Sequence, residues 1–312
     1  MTIWWDIGVM IGFGLILSGC AHLVIRGAAG IAKHAGLTSF TFGFLLLGIL
    51  TSMPEMFVAI QAALTNIPQL ATGNLLGGSI LLLSLVMGAL AVILGKVVLD
   101  HEISWQDMVS TIGVIAAPAL VLWDGALTRG EGIFLVGAYG VHALLLTRDG
   151  TLQHPLHKHA VGHRHVHQNI GMFILGIAGL AIASRVIVTS AEVIIHSFSI
   201  PPIVFGLFFL SLGTNLPEFA LAWSVIAQKR RDLAIGDFLG SAAANTLILG
   251  ILAIISPYTD PNPSRVTAAL VLLGSVAAYF LWSFWTGRSL SRKEGLGLLA
   301  FYAIFVAYEL FG

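Results

Sequence analysis

Displaced by 163 residues, the chain aligns on itself without a gap. Gly43 falls on Gly206, Thr51 on Thr214, Pro54 on Pro217 and Glu55 on Glu218. Farther along, Leu70-Ala71 meets Leu233-Ala234, Gly73 meets Gly236 and Gly77 meets Gly240. The register persists to Arg129, Glu131 and Gly132, which meet Arg292, Glu294 and Gly295. Glycine and leucine coincidences are ordinary in an apolar chain. A constant offset through proline and charged positions instead marks one structural unit used twice.

Composition says where that unit lives. Of 312 residues, 57% are hydrophobic and 10% charged, where a soluble domain carries about a quarter charged residues. The apolar residues come in runs of about twenty, long enough as helices to cross a hydrocarbon core of about 30 Å. Ten spans are expected, near 5–29, 38–66, 70–98, 105–123, 130–147, 169–196, 200–228, 232–256, 265–286 and 294–311. The second and seventh are too long to run unbroken. One polar loop separates the halves, giving three segments: a first repeat at 1–147, a histidine-rich loop at 148–168 and a second repeat at 169–312. The fold class expected is an all-α membrane protein of two five-helix repeats. The 35 glycines suit close helix packing in lipid. The N-terminus lacks the basic flank and cleavage site of a signal peptide, so its first helix is expected to remain. A net charge of zero gives no reason to expect nucleic acid, and the single Cys20 leaves no disulfide framework.

Five spans per unit is odd, so the two copies enter the membrane in opposite senses. With the N-terminus outside, Arg26, Lys33, Lys96, Arg148, Lys158, Arg164, Lys229, Arg230, Arg231, Arg288, Arg292 and Lys293 fall on the cytoplasmic side. Only Arg129, Arg185 and Arg265 fall outside. Twelve cations against three is a strong positive-inside bias. Both termini are therefore expected outside, in a prokaryotic inner membrane, with Lys229-Arg230-Arg231 near lipid headgroups. Inverted repeats of this kind build transporters whose substrate site lies at the repeat interface, near the midplane.

Polar residues inside each unit concentrate in two places. The first is Thr51-Ser52-Met53-Pro54-Glu55, matched by Thr214-Asn215-Leu216-Pro217-Glu218. A proline there interrupts an apolar helix and frees carbonyls one turn earlier, which in hydrocarbon need a partner. The following glutamate places a carboxylate beside the opening. The second place is Gly73-Asn74-Leu75-Leu76-Gly77-Gly78-Ser79, matched by Gly236-Asp237-Phe238-Leu239-Gly240-Ser241-Ala242. Its glycines let helices approach closely, and Asn245 lies one turn beyond Ser241. Ionisable residues in membrane spans are costly and mark ion pathways, so Glu55 and Glu218 are the central candidates. Thr51, Ser52, Thr214, Asn215, Ser241 and Asn245 are the supporting oxygen donors, each with helix-to-helix hydrogen bonding as its alternative role. A set of oxygens alone suits a hard cation. Two carboxylates are neutralised by one divalent cation, or by two protons or sodium ions. An empty doubly charged site is too costly to reorient, so the expectation is exchange by alternating access.

These residues resemble the paired alpha repeats of the calcium/cation antiporter superfamily, which includes sodium/calcium and calcium/proton exchangers. The likeness covers essentially the whole chain. It implies ten spans and calcium ligation by Glu55 and Glu218, with oxygens from Thr51, Ser52 and Thr214 reaching calcium or sodium. It also implies roles for Ser241 and Asn245. The first repeat departs from the pattern, with Gly78 and Leu82 where a serine and an amide are expected, and Asn215 replaces a more usual serine. His22 and Arg185 stand where acids are often found. Fewer bound sodium ions than in a full sodium/calcium site are expected from these departures.

Six of eleven histidines crowd into the central loop: His154, His157, His159, His163, His165 and His167. Imidazoles at that density could bind a regulatory transition metal, or serve a zinc-, manganese- or nickel-type exporter; a solvated linker of biased composition is the alternative. A transport-impaired sensor is a further alternative. Enzymatic function is not expected: there is no His-Glu-x-x-His sequence and no nucleophile elbow, and Asp237 has no membrane aspartate placed to partner it. No cofactor is expected beyond the transported cations, Ca2+ with Na+ or H+, and the partners are small inorganic cations and membrane lipids.

Overall fold

The computed structural model describes residues 2–34, 47–98, 104–148, 164–228, 235–260 and 263–311. Helix α1 spans Thr2–His34, α2 Met53–Leu64, α3 Pro68–Leu94, α4 Trp105–Ala116 and α5 Arg129–Arg148. In the second half come α6 (Arg164–Phe198), α7 (Pro202–Thr214), α8 (Leu216–Gln228), α9 (Ile235–Ile255), α10 (Pro263–Gly287) and α11 (Arg292–Phe311). Prolines open α3, α7 and α10, where the missing N–H has no intrahelical partner to lose. A capping box starts α4: Ser104 Oγ accepts from the Asp107 amide, and the Asp107 carboxylate accepts from the Ser104 amide, both at 3.0 Å.

Six described helices are long and apolar enough to cross a membrane, lying within α1, α3, α5, α6, α9 and α10; the α7–α8 pair makes a seventh, bent by 49°. That bend, at Asn215, is the break expected in the seventh span. The second expected span is likewise interrupted: residues 47–51 are helical, Ser52 is a turn, and α2 follows. The expected spans near 38–66, 105–123 and 294–311 fall short of that standard within the described residues, the last because Arg292, Lys293 and Glu294 open α11. The sixth span begins at Arg164, five residues before its expected start, so His165 and His167 belong to α6.

An all-α fold is not quite what forms. Among the described residues four short strands pair in two antiparallel ribbons: β1 (Lys96–Val98) with β4 (Ser289–Ser291), and β2 (Ala126–Leu127) with β3 (Tyr258–Thr259). Gly95, at φ +80°, stops α3 and turns the chain into β1. Extended backbone at a helix end must pair its amides somewhere, and here each half pairs with the other. The 163-residue shift carries residues of β1 onto β3 and β2 onto β4, so the two ribbons are near-equivalent halves of one symmetric arrangement.

The centre of the molecule is a crossing of α3 and α7. A Cβ at Gly73 would fall on the Ile203 carbonyl and 2.8 Å from the Leu207 amide, and one at Gly206 would fall on the Leu70 carbonyl. Only glycine permits this backbone-to-backbone approach. The helix α3 relaxes through a π-helical turn at Leu82–Val86, and α7 through another at Gly206–Leu210. The long helices α1 and α6 pack along each other at one side. His22 is satisfied locally, its Nδ1 donating to the Ser18 carbonyl at 3.0 Å, and Arg185 is exposed on α6.

Candidate cation site

The two interrupted helices bring their polar segments to the centre, against α3 and α9. All eight predicted site residues, Thr51, Ser52, Glu55, Thr214, Asn215, Glu218, Ser241 and Asn245, are buried, none more than 6% exposed. The proline after each break leaves Glu55 and Glu218 in the first turn of α2 and α8, pointing carboxylates into the interior.

Hydrogen bonds tie the two halves together here. Ser52 Oγ lies 2.9 Å from Ser241 Oγ, and Ser241 Oγ donates to Glu218 Oε1 at 3.0 Å. Thr214 Oγ1 donates to Asn74 Oδ1 at 3.0 Å. Asn245 Nδ2 donates to Ser79 Oγ at 3.2 Å, and Asn215 Nδ2 to the Ser211 carbonyl at 2.8 Å. Thr51 Oγ1 donates back to its own helix, at the Leu47 carbonyl, 3.0 Å away. The Thr214 hydroxyl lies beside the Glu55 carboxylate, but its proton is engaged with Asn74. Glu55 and Asp237 both lie within Coulombic reach of Glu218.

Among the described residues several oxygens have no hydrogen-bond partner: both of Glu55, Oε2 of Glu218, and Oδ1 of Asn215, Asn245 and Asp237. Buried oxygens left in this state cost free energy, about 1–3 kcal/mol each when neutral and more when charged. Oxygens of this kind are the ligands that a hard cation takes. Among the described residues no three His, Cys, Asp or Glu side chains gather as a metal-binding group. Any ion held here would rely on hydroxyl and amide oxygens alongside the carboxylates.

Three further residues, beyond the donors expected from sequence, belong to this cluster: Asn74, Ser79 and Asp237, all buried. Asn74 and Asp237 are equivalent under the 163-residue shift, and that pairing was the available signal. Asp237 has the Thr51 hydroxyl beside it, the counterpart of the Asn74–Thr214 contact. Of the loop histidines, His154, His157, His159 and His163 lie outside the described residues; His165 is in the first turn of α6, and His167 is exposed on it.

A family model described as sodium/calcium exchanger protein matches residues 5–148 and 168–311. The chain belongs to that family. It is an integral membrane protein of the calcium/cation antiporter superfamily, as the sequence resemblance implied. Its relatives include inner membrane protein YrbG of Escherichia coli, 28% identical over 93% of this chain and 91% of that one. The putative antiporter CaxA of Alkalimonas amylolytica is 27% identical over 96% of both chains. Among solved structures, the sodium-calcium exchanger NCX_Mj superposes with a TM-score of 0.68 at 20% identity, covering 98% of this chain and 99% of that one. The H+/Ca2+ exchanger CAX superposes with a TM-score of 0.77 at 15% identity, over 96% of this chain and 82% of that one. These likenesses establish the exchanger fold.

Proposed function

We propose that this protein is a secondary active antiporter that exchanges a divalent cation, Ca2+, for Na+ or H+ by alternating access at a site between Glu55 and Glu218. The carrying observation is the set of buried, unpartnered oxygens on these two glutamates, Asn215 and Asn245, contributed from both halves of the chain. An oxygen-only set favours a hard ion over zinc or nickel, which prefer imidazole or thiolate. Membership of an exchanger family, with relatives named as antiporter and exchanger, supports the reaction class.

In this reading the chain forms ten spans as two inverted repeats, 1–147 and 169–312, joined by a cytoplasmic loop at 148–168, with both termini outside. The near-symmetric ribbons and the bend at Asn215, opposite the turn at Ser52, support that arrangement. Each broken helix then supplies one glutamate, and rocking of one repeat against the other opens the site to either side. One Ca2+ neutralises the glutamate pair; two monovalent ions do so equally, and the two loads exclude each other. The ordered oxygens replace the hydration shell of the ion, so either load crosses without a bare charge entering hydrocarbon.

The test is uptake into proteoliposomes. Ca2+ is expected to accumulate against an opposing Na+ or H+ gradient, and E55Q and E218Q proteins, folded normally, are expected to lose that flux. Gradient-driven Ca2+ uptake that survives both substitutions would overturn the assignment. Uptake of Zn2+ or Ni2+ in place of Ca2+ would instead favour an exporter that uses the histidine loop.

A further inference from the structure

The two sides of the site are built from matched pairs that have diverged. Under the 163-residue shift, Ser52 corresponds to Asn215 and Ser241 to Gly78. The contacts run between the two pairs, Ser52 with Ser241 and Asn215 with Gly78. Ser52 Oγ meets Ser241 Oγ at 2.9 Å, while a Cβ built on Gly78 would lie 3.0 Å from Asn215 Nδ2 and 3.2 Å from Asn245 Nδ2. Two serines on one side thus occupy the place of an asparagine and a glycine on the other. The longer amide reaches into the space that a serine side chain at position 78 would fill.

This divergence has a consequence for the glutamates. On the serine side, Ser241 Oγ donates to Glu218 Oε1 at 3.0 Å, which leaves Glu218 one unpartnered oxygen. On the other side Gly78 has no hydroxyl to give to Glu55, the nearby Thr214 hydroxyl donates to Asn74 instead, and among the described residues both Glu55 oxygens are buried without a hydrogen-bond partner. The two amides complete the picture. Asn215 Nδ2 points at the Ser211 carbonyl, which can only accept. Asn245 Nδ2 points at Ser79 Oγ, whose proton goes to the Leu75 carbonyl at 3.0 Å, so that oxygen accepts too. These partners fix both amides with nitrogen turned to protein and Oδ1 left free, the orientation a cation ligand needs.

We propose that Gly78 and Asn215 form a single compensated exchange that draws the cation off the pseudo-two-fold axis toward Glu55, which binds it with both oxygens while Glu218 supplies one and Asn215 and Asn245 supply amide oxygens. Calcium accepts both bidentate and monodentate carboxylates in an irregular shell, so an unequal pair is compatible with it. The placement of the ion rests on the exchanger reading above; the packing exchange does not.

Two measurements on the full-length protein in detergent separate these claims. The first is a thermal-unfolding cycle without divalent ions on wild type, G78S, N215S and G78S/N215S. G78S should lower the melting temperature by about 2–5 °C through overpacking, and N215S added to it should restore most of that loss. Additive shifts, or a G78S melt equal to wild type, would overturn the exchange. The second is Ca2+ binding by isothermal titration to wild type, E55Q and E218Q. E55Q should weaken binding at least about tenfold more than E218Q does. Equal losses, or a larger loss in E218Q, would overturn the off-axis placement. Absence of Ca2+ binding by the wild-type protein would overturn the exchanger reading, and with it the placement, while the unfolding cycle would still decide the packing exchange.

Discussion

Gly48 is a position next to the site where a single methyl group should do measurable harm. It is buried on the helical turn before Ser52, and a Cβ there would lie 2.7 Å from the Gly240 carbonyl carbon and 2.9 Å from its oxygen. Those atoms are backbone and cannot rotate away. Restoring ordinary contact at 3.4 Å requires the segment before Ser52 and helix α9 to part by about 0.7 Å. The Ser52–Ser241 bond is the next polar contact along both segments, and at 2.9 Å it would stretch to about 3.6 Å, out of hydrogen-bond range. Overpacking costs about 1–3 kcal/mol and the lost bond about 1 kcal/mol. G48A should therefore lose about 2–4 kcal/mol, which corresponds to roughly 3–6 °C in melting temperature. The assay is a thermal melt in detergent paired with Ca2+ uptake in proteoliposomes. G137A is the control, since a Cβ at Gly137 meets nothing within 4 Å and should cost nothing or add helix stability. A G48A protein that melts and transports like G137A would refute the close approach of these two segments.

Three further outcomes are expected. Arg265 lies 3.8 Å from the buried Glu309 carboxylate, neither of whose oxygens has a hydrogen bond, so R265A should destabilise the protein by about 1–2 kcal/mol after allowing for the partial exposure of Arg265, and adding E309Q should recover most of it in thermal melts. S104A removes the cap of α4 and should cost about 1 kcal/mol, read as a lower melting temperature with transport retained. Replacing His154, His157, His159, His163, His165 and His167 together by alanine should leave Ca2+ transport intact while abolishing Zn2+ or Ni2+ binding by the protein in isothermal titration; equal metal binding by both proteins would remove the loop as a metal site.

Much of this molecule is written in its sequence because the lipid environment leaves few choices. A carboxylate after a proline inside an apolar run has almost no structural use, so Glu55 and Glu218 stand out, and their common offset from Thr51 and Thr214 gives the register of the halves. The ribbons were not legible: strands of two and three residues carry no period, and their pairing depends on where α3 and α10 end in space. The start of α6 was misplaced because Arg164 to Gln168 read as a polar loop, although polar residues can form a helical turn beyond the apolar run. The ligand set was legible in kind but incomplete. Which of Asn74, Ser79 and Asp237 faces the site depends on the rotation of α3 and α9 about their axes, which helices buried on nearly every side do not reveal through an apolar stripe. The role of Gly78 was visible only as a missing serine; its contact with Asn215 needed coordinates.

The central claim is that a divalent cation binds between Glu55 and Glu218. Anomalous diffraction from crystals grown with Ca2+ or Mn2+ tests it most directly. A single strong peak is expected about 2.1–2.6 Å from the Glu55 carboxylate oxygens, within reach of Glu218, Asn215 and Asn245. A site without a peak between the two glutamates, or a peak held only by the loop histidines, would contradict it.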